Sequence, residues 1–235
     1  MQREIGNEMD ELLNDNEDLR SAVGEGASFT RANRSRAAFL LSAAIGGGAV
    51  LAKLASAARA AQFEPHEIDV LNFDLTFEYL QAEFYDEALR FGALGPEATR
   101  WARVIGAHER AHVRILRSVL GRRAVTKPFF DYRGVTEDEE AFTKTAVAME
   151  DLTTALLTGQ VREFRTPALV SALFSLITVE ARHAAWVRND LGVLPIASPL
   201  DEAKSLKEVA EVVASTRFMK ENPITWAKTA PRFTG

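Results

Sequence analysis

The sequence contains no cysteine, which excludes a disulfide scaffold, cysteine-based zinc sites, iron–sulfur clusters and thiol catalysis. Glycine and proline are few, at 14 and 8 of 235 residues, so collagen-like and low-complexity chains are excluded as well. The formal net charge of -5 disfavours a nucleic-acid partner, because such proteins carry clustered positive charge. The hydrophobic content of 47% is enough for one sizeable core.

Several functional motifs are also missing from the chain. We find no β-hairpin signal, no solenoid repeat, no glycine-rich phosphate loop and no serine nucleophile motif. Beyond Pro65 the apolar residues instead recur with the period of an α-helix. This periodicity predicts four long helices and a weaker amphipathic helix, over residues 66–91, 96–120, 137–160, 167–191 and 200–219.

Local signals define the ends of these helices and the lengths of their connections. Thr136 is predicted as the N-cap of the third helix, with Glu139 at the capping-box position, and Asp201 lies near the start of the last helix. The first and third connections are short, whereas the second runs from Gly121 to Val135. This order of loop lengths is typical of an all-α four-helix bundle with one long crossover between helices two and three, here followed by a C-terminal helix.

The N-terminal quarter differs in composition from the rest. Residues 1–30 are rich in Asp and Glu and are predicted to form an acidic, mobile leader. Residues 31–61 begin with arginines, continue with an uncharged run over 37–52 and end in small residues, as in a signal peptide. The run is shorter than the ~20 apolar residues of a spanning helix. An Ala/Gly-rich amphipathic helix that packs on another surface is the alternative.

The segment Ser35-Arg36-Ala37-Ala38-Phe39-Leu40 resembles a twin-arginine export signal, although Ala37 stands where that family has its second arginine. The resemblance implies export to the periplasm or the cell envelope. If the segment is not cleaved, residues 37–52 would instead attach the protein to the membrane. A cytoplasmic location is the alternative to export. We therefore divide the chain into the leader 1–30, the signal-like segment 31–61, the bundle 62–195 and a C-terminal helix with an irregular tail over 196–235.

Each long helix carries one glutamate on a seam that is otherwise apolar or small. In the second and fourth helices a histidine follows three residues later, on the same helix face. The residues are Glu78, Glu109, His112, Glu150, Glu180 and His183. Four carboxylates that converge in a core need a counter-charge, and no Lys or Arg lies on these seams at that level. Two divalent cations would balance them, with both imidazoles as neutral nitrogen donors.

Together, the single Glu78 and Glu150 and the pairs Glu109-x-x-His112 and Glu180-x-x-His183 resemble the ferritin-like di-metal carboxylate pattern. The resemblance covers residues 66–192 and implies a bundle that binds two iron ions or two manganese ions. In that reading Glu109 and Glu180 bridge the ions and the other two glutamates are terminal ligands.

Tyr85 resembles the aromatic residue that lies just outside the ligands in such bundles, although plain core packing is an equal alternative. His108 either supports the ligands or lies on the helix flank, and the flank is the favoured reading.

The segment from Leu75 to Tyr85 further resembles a subfamily of exported bacterial ferritin-like proteins, which includes plant desiccation-related proteins. This resemblance implies two alternative functions. The first is an oxidoreductase whose metals react with O2 or H2O2, as a ferroxidase, a peroxidase or a catalase-like enzyme. The second is a non-catalytic stress protein in which the metals, or the ligand shell alone, only stabilise the bundle. A homo-oligomer is compatible with both.

Overall fold

The computed structural model describes residues 63–220, which form five α-helices joined by loops and short 3-10 turns. The helices are α1 (Pro65–Phe91), α2 (Pro96–Leu120), α3 (Glu139–Gln160), α4 (Pro167–Asp190) and α5 (Leu206–Thr216). The predicted acidic leader, the export-like segment and the end of the C-terminal tail lie outside the described residues.

Proline and glycine define the ends of the first two helices. Pro65 and Pro96 occupy the first turns of α1 and α2, where the backbone N–H that proline lacks has no partner within the helix. Gly92 and Gly121 follow the last residues with φ values of 69° and 57°, a conformation that glycine adopts without strain. The predicted boundaries of these two helices are confirmed to within one residue.

The start of α3 differs from the prediction. Asp138, rather than Thr136, is the N-cap, and its carboxylate accepts a hydrogen bond from the Ala141 N–H at 2.8 Å. Thr136 lies in a preceding 3-10 turn, where its hydroxyl donates to Glu87 Oε1 at 2.7 Å. The Thr136–Glu139 spacing fits the capping-box pattern, but the Asp138 side chain reaches the free N–H groups directly.

The last helix is shorter than predicted, because the residues before it pack along α3. The Lys204 N–H donates to the Ala155 carbonyl at 2.9 Å, and a Cβ atom on Gly159 would lie 2.0 Å from the Lys204 carbonyl oxygen. This contact holds the chain extended until Ser205, which caps α5 through a reciprocal capping box with Glu208. Asp201 therefore lies outside the helix.

The four long helices form the predicted bundle. α1 packs mainly on α2 and α3 mainly on α4, and each pair is joined by a short connection. Residues 121–138 form the long crossover from the first pair to the second. The all-α fold with one crossover and an additional C-terminal helix is confirmed.

A layer of aromatic rings joins the crossover to the bundle core. The Tyr132 hydroxyl donates to the Leu80 carbonyl at 2.7 Å, which anchors the crossover on α1. Phe142 stacks on Trp101 with ring centroids 5.1 Å apart, and it stacks on Phe84 at 4.8 Å. Tyr85 meets both Trp101 and Phe142 edge to face, so these two rings fix the orientation of its own.

Within residues 63–220, α4 is the one helix with the length and mean hydropathy of a membrane span, reaching 1.3 over its most apolar window. Of that window, 28% is buried inside the bundle. α4 buries Leu169, Leu173 and Val187 together with Glu180 and His183.

Glu67 fastens the start of α4 to the start of α1. Its side chain is 1% exposed, and its Oε1 accepts hydrogen bonds from the N–H groups of Arg165 and Thr166, both at 2.9 Å. Its Oε2 accepts from the Thr166 hydroxyl at 2.9 Å and from the Glu64 N–H at 3.1 Å. Burial raises the pKa of Glu67, but these hydrogen bonds outweigh it and lower the pKa below the ordinary value of 4.5.

We expect Glu67→Gln to lower the free energy of unfolding by ~1–3 kcal/mol, because one acceptor oxygen becomes an amide that faces N–H donors. Because the pKa of Glu67 is lowered, the ionised carboxylate stabilises the fold above pH 4.5, and this stabilisation is lost as the pH falls further. Acidification should therefore reduce the difference in unfolding free energy between the unaltered protein and the variant. Urea unfolding at several pH values measures it. The exposed Glu97→Gln is the control, and an equal loss in both variants would contradict the account.

Candidate metal centre

The four long helices place one glutamate each at the same level of the core. Each of these glutamates is at most 2% exposed, and the two accompanying histidines are 6% and 3% exposed. The residues are Glu78 from α1, Glu109 and His112 from α2, Glu150 from α3, and Glu180 and His183 from α4. The structure therefore brings together all six residues that the sequence predicts as ligands.

Two overlapping groups of ligand atoms are present. The first, the His112 half, consists of His112, Glu78, Glu109 and Glu180, and the second, the His183 half, consists of His183, Glu150 and the same two shared glutamates. Within each group the ligand atoms all lie within 4.8 Å of one another. The shared residues are Glu109 and Glu180, the two that the sequence analysis assigns as bridges.

The shared glutamates direct one oxygen into each half. Glu109 places Oε2 at 3.0 Å from His112 Nδ1 and Oε1 at 3.0 Å from His183 Nδ1. Glu180 places Oε1 at 3.0 Å from His112 Nδ1 and Oε2 at 3.1 Å from His183 Nδ1. The remaining glutamates each serve one half, with Glu78 Oε2 at 3.4 Å from His112 and Glu150 Oε2 at 3.5 Å from His183. The two halves are thus related by an approximate two-fold arrangement.

The carboxylates that surround the two imidazoles favour the protonated form of each. Burial lowers the pKa of His112 and of His183, but the surrounding carboxylates outweigh burial and raise both pKa values well above 6.5. In turn, burial raises the pKa of Glu109, and the two histidines more than reverse this and lower it. The pKa of Glu180 is lowered in the same way, since the two imidazoles outweigh burial and the repulsion from Glu109.

The two terminal glutamates behave differently from the shared pair. Burial raises the pKa of Glu150 to about 7 and that of Glu78 well above its usual range, because each lies close to one imidazole only. The outer carboxyl groups therefore hold their protons more tightly than an ordinary glutamate does. A cation that entered either half would replace protons on groups able to bind it.

Within the described part of the chain, four buried oxygens at this level accept no hydrogen bond of good geometry, and the nearest charged group to each is a histidine Nδ1 at 3.0–3.5 Å. One belongs to each glutamate: Glu78 Oε2, Glu109 Oε1, Glu150 Oε2 and Glu180 Oε1. Nor does any Lys or Arg among residues 63–220 form an ion pair with these carboxylates. Unpaired buried oxygens are costly, so oxygen and nitrogen donors in this arrangement fit a pair of divalent cations.

Tyr85 and Gln81 hold Glu150 in place from α1. The Tyr85 hydroxyl and the Gln81 amide, the latter at 3.2 Å, both donate to Glu150 Oε1, while the Thr153 hydroxyl donates to Gln81 Oε1 at 2.9 Å. These bonds leave Glu150 Oε2 directed at the ligand group. Burial, together with the charge of Glu150, raises the pKa of Tyr85 well above 10, so the hydroxyl keeps its proton as a donor.

His108 supports the other ligand of the same half. Its Nδ1 lies 2.8 Å from His183 Nε2, and the two ring planes are nearly parallel, at 18° to each other, with centroids 5.1 Å apart. The structure therefore contradicts the favoured reading of His108 as a residue of the helix flank. A partner on the outer nitrogen fixes the tautomer and the ring orientation of a metal-binding histidine.

A glycine on α2 allows α1 and α2 to approach each other closely beside Tyr85. A Cβ atom on Gly106 would lie 2.8 Å from the Tyr85 Cβ, closer than side chains approach one another. Gly106 follows the seam residue Ile105 and precedes Glu109 by one helical turn. The close approach thus fixes the position of Tyr85 along the bundle axis relative to Glu109.

Sequence reasoning did not identify Gln81 and Thr153. Both lie one turn after a ligand, at i+3 from Glu78 and from Glu150, so the seam pattern offered a signal. A neutral polar residue near a seam is nevertheless common in bundles. Only the orientation of α1 against α3 shows that their side chains meet.

With the geometry described, the chain can be compared with known proteins. The family model described as ferritin-like domain matches residues 66–193, more than half of the chain. The chain belongs to the ferritin-like domain family. A search of curated proteins gave no significant match. Membership of this family agrees with the all-α bundle and with a metal site built from its buried glutamates and histidines.

We expect Tyr85→Phe to weaken metal uptake at the His183 half of the ferritin-like bundle, because Glu150 loses a donor that orients it. Tyr132→Phe is a matched control, since it removes another buried tyrosine hydroxyl, one that donates to a carbonyl away from the ligands. Both variants should lose ~1–3 kcal/mol of unfolding free energy in urea. Metal titration separates them, and equal affinities in the two variants would contradict the assigned role of Tyr85.

Proposed function

We propose that the chain binds two iron ions or two manganese ions between its four long helices. The observation that carries this proposal is the sharing of Glu109 and Glu180 between the two ligand groups. A carboxylate that directs one oxygen into each half suits a bridge between two cations. An isolated ion pair would need neither the second half nor the second histidine.

Charge neutrality supports the stoichiometry. Four carboxylates carry four negative charges, which two divalent cations balance when both imidazoles are neutral. The protons on the imidazoles and on the outer carboxyl groups would leave as the cations enter, so metal uptake would release protons and strengthen with rising pH. The oxygen and nitrogen donor set suits iron and manganese equally.

The residues around the ligands would preserve this arrangement. Tyr85 and Gln81 would hold Glu150 through its Oε1, and His108 would keep His183 Nδ1 turned inward. Leu75, Ile105 and Leu157, at most 1% exposed, exclude water from the core. When bound, two redox-active ions supply electrons to, or accept them from, O2 or H2O2. We therefore propose an oxidoreductase of the ferroxidase, peroxidase or catalase-like class.

The second candidate is a non-catalytic stress protein in which bound metal stabilises the bundle. It is favoured by the sequence of residues 75–85, which resembles that of the desiccation-related subfamily. In this case the bound cations serve only to relieve the repulsion between four buried carboxylates. The two functions share the metal site and differ in turnover.

Metal content and turnover test the proposal together. We expect about two iron or manganese ions per chain by elemental analysis of protein purified without added metal, and a loss of both in Glu109→Ala/Glu180→Ala. The surface double variant Glu97→Ala/Glu140→Ala is the control and should bind as the unaltered protein does. The same preparations are then assayed for consumption of O2 and H2O2.

The outcomes separate the candidates. Consumption that disappears in the ligand variant supports the oxidoreductase. Bound metal that raises the melting temperature without any consumption supports the structural protein. No metal after anaerobic loading with both ions would contradict metal binding and the oxidoreductase, and would favour a structural protein held together by its ligand shell alone.

We also propose that the protein is exported, from the signal-like composition of residues 31–61. A twin-arginine-type route carries folded proteins, so a bundle loaded with metal in the cytosol could reach the periplasm or cell envelope.

N-terminal sequencing of protein recovered from the cell envelope tests this location. A mature start near Ala61 is expected, while an intact Met1 in the membrane fraction would indicate an anchor over residues 37–52. Recovery of the full chain from the cytosol alone would contradict export.

A further inference from the structure

An apolar cavity of about 220 Å³ lies beside the candidate metal centre. Its walls come from α1, α2 and α4, with Phe164 from the connection before α4. His112, a ligand candidate, is part of the wall, so the cavity reaches the His112 half. The cavity does not reach the His183 half, since neither His183 nor Glu150 lines it.

The cavity runs from the surface into the core. Ile115, Leu176 and Val179 are half-buried and lie towards solvent, whereas Leu116 and Leu173 are buried. A small molecule could therefore enter between α2 and α4, which pack on each other less closely than either packs on its hairpin partner. The wall is aliphatic over most of its area, so water gains few hydrogen bonds inside.

One buried carboxyl group offers a polar contact in this wall. Asp74 is 3% exposed, and its Oδ1 accepts a hydrogen bond from the Gln160 amide at 2.6 Å. Gln160 Oε1 has no hydrogen-bond partner within residues 63–220, although the side chain is 1% exposed. Burial raises the pKa of Asp74 to about 7, against the opposing effect of the Gln160 bond. The Asp74 carboxyl could thus meet a neutral hydroxyl as donor or acceptor.

The size of the cavity indicates the size of its occupant. Protein cores are packed with few voids larger than a water molecule, and an empty cavity lowers stability. An engineered apolar cavity of ~150 Å³ in another protein binds benzene. The cavity here is larger, and it adjoins a ligand set that the proposed function equips for redox chemistry.

We propose that this cavity binds a mainly aliphatic or aromatic molecule, larger than benzene and with one neutral polar end, beside His112. The proposal deepens the proposed function, on which it rests for the place of this molecule next to bound metal. Binding itself depends only on the cavity, so it can be measured in the absence of metal.

Calorimetric titration of the full-length protein with 1-octanol tests the proposal, in metal-free and metal-loaded samples. We expect saturable binding in both, weakened at least about tenfold by Ala172→Phe, which projects a ring from α4 into the cavity. Leu176→Trp at the mouth is a second blocking variant, in case the first does not fold. Ala185→Phe is the matched control, because Ala185 is half-buried on the same helix and does not line the cavity.

Metal content and helical circular dichroism are recorded for every variant. Unchanged metal content with lost 1-octanol binding in the blocking variants supports the proposal. Absent 1-octanol binding in a metal-loaded protein would overturn it while leaving the proposed function intact. Equal binding in the blocking and control variants would also overturn it, as would binding of xenon alone, which would mark the cavity as a path for gases.

Discussion

The burial of four carboxylates at one level of the bundle is the constraint on which the rest of the structure depends. Such a cluster is tolerated only with a counter-charge, and Glu109 and Glu180 meet this need by facing both imidazoles at once. The carboxylates raise the pKa of both imidazoles, and divalent cations would supply the positive charge in a loaded chain. The close helix packing at Gly106 and the aromatic layer around Phe142 then fix the height at which the side chains meet.

The two halves of the site have equivalent ligands and unequal surroundings. The His183 half is held by hydrogen bonds, from Tyr85 to Glu150 and between His108 and His183. The His112 half borders an apolar cavity. A preorganised half retains its ligand geometry without metal, whereas a half beside a cavity can accept a second molecule. On the proposed function, the His183 half would retain its metal ion and the His112 half would be open to a second molecule, although the ligand pattern of the ferritin-like bundle is symmetric.

The sequence was sufficient for the parts of this account that depend on one helix at a time. Stepping along each seam identifies its single glutamate, and the i+3 spacing identifies His112 and His183. The loop lengths then predict the order of the bundle. Features that depend on how two elements meet could not be predicted, such as the contact of His108 with His183 or the extended chain over Gly159 that delays α5. The cavity likewise arises from the spacing of three helices, which no single segment encodes.

The most direct test of the central claim is anomalous diffraction from crystals of the protein loaded with iron or with manganese, collected on both sides of the absorption edge of each metal. The account predicts two peaks, both lying between Glu109 and Glu180, one beside His112 and the other beside His183. Absence of any peak at this level, with both imidazoles still against the carboxylates, would contradict it. The cluster would then be a buried network of protonated side chains and not a metal centre.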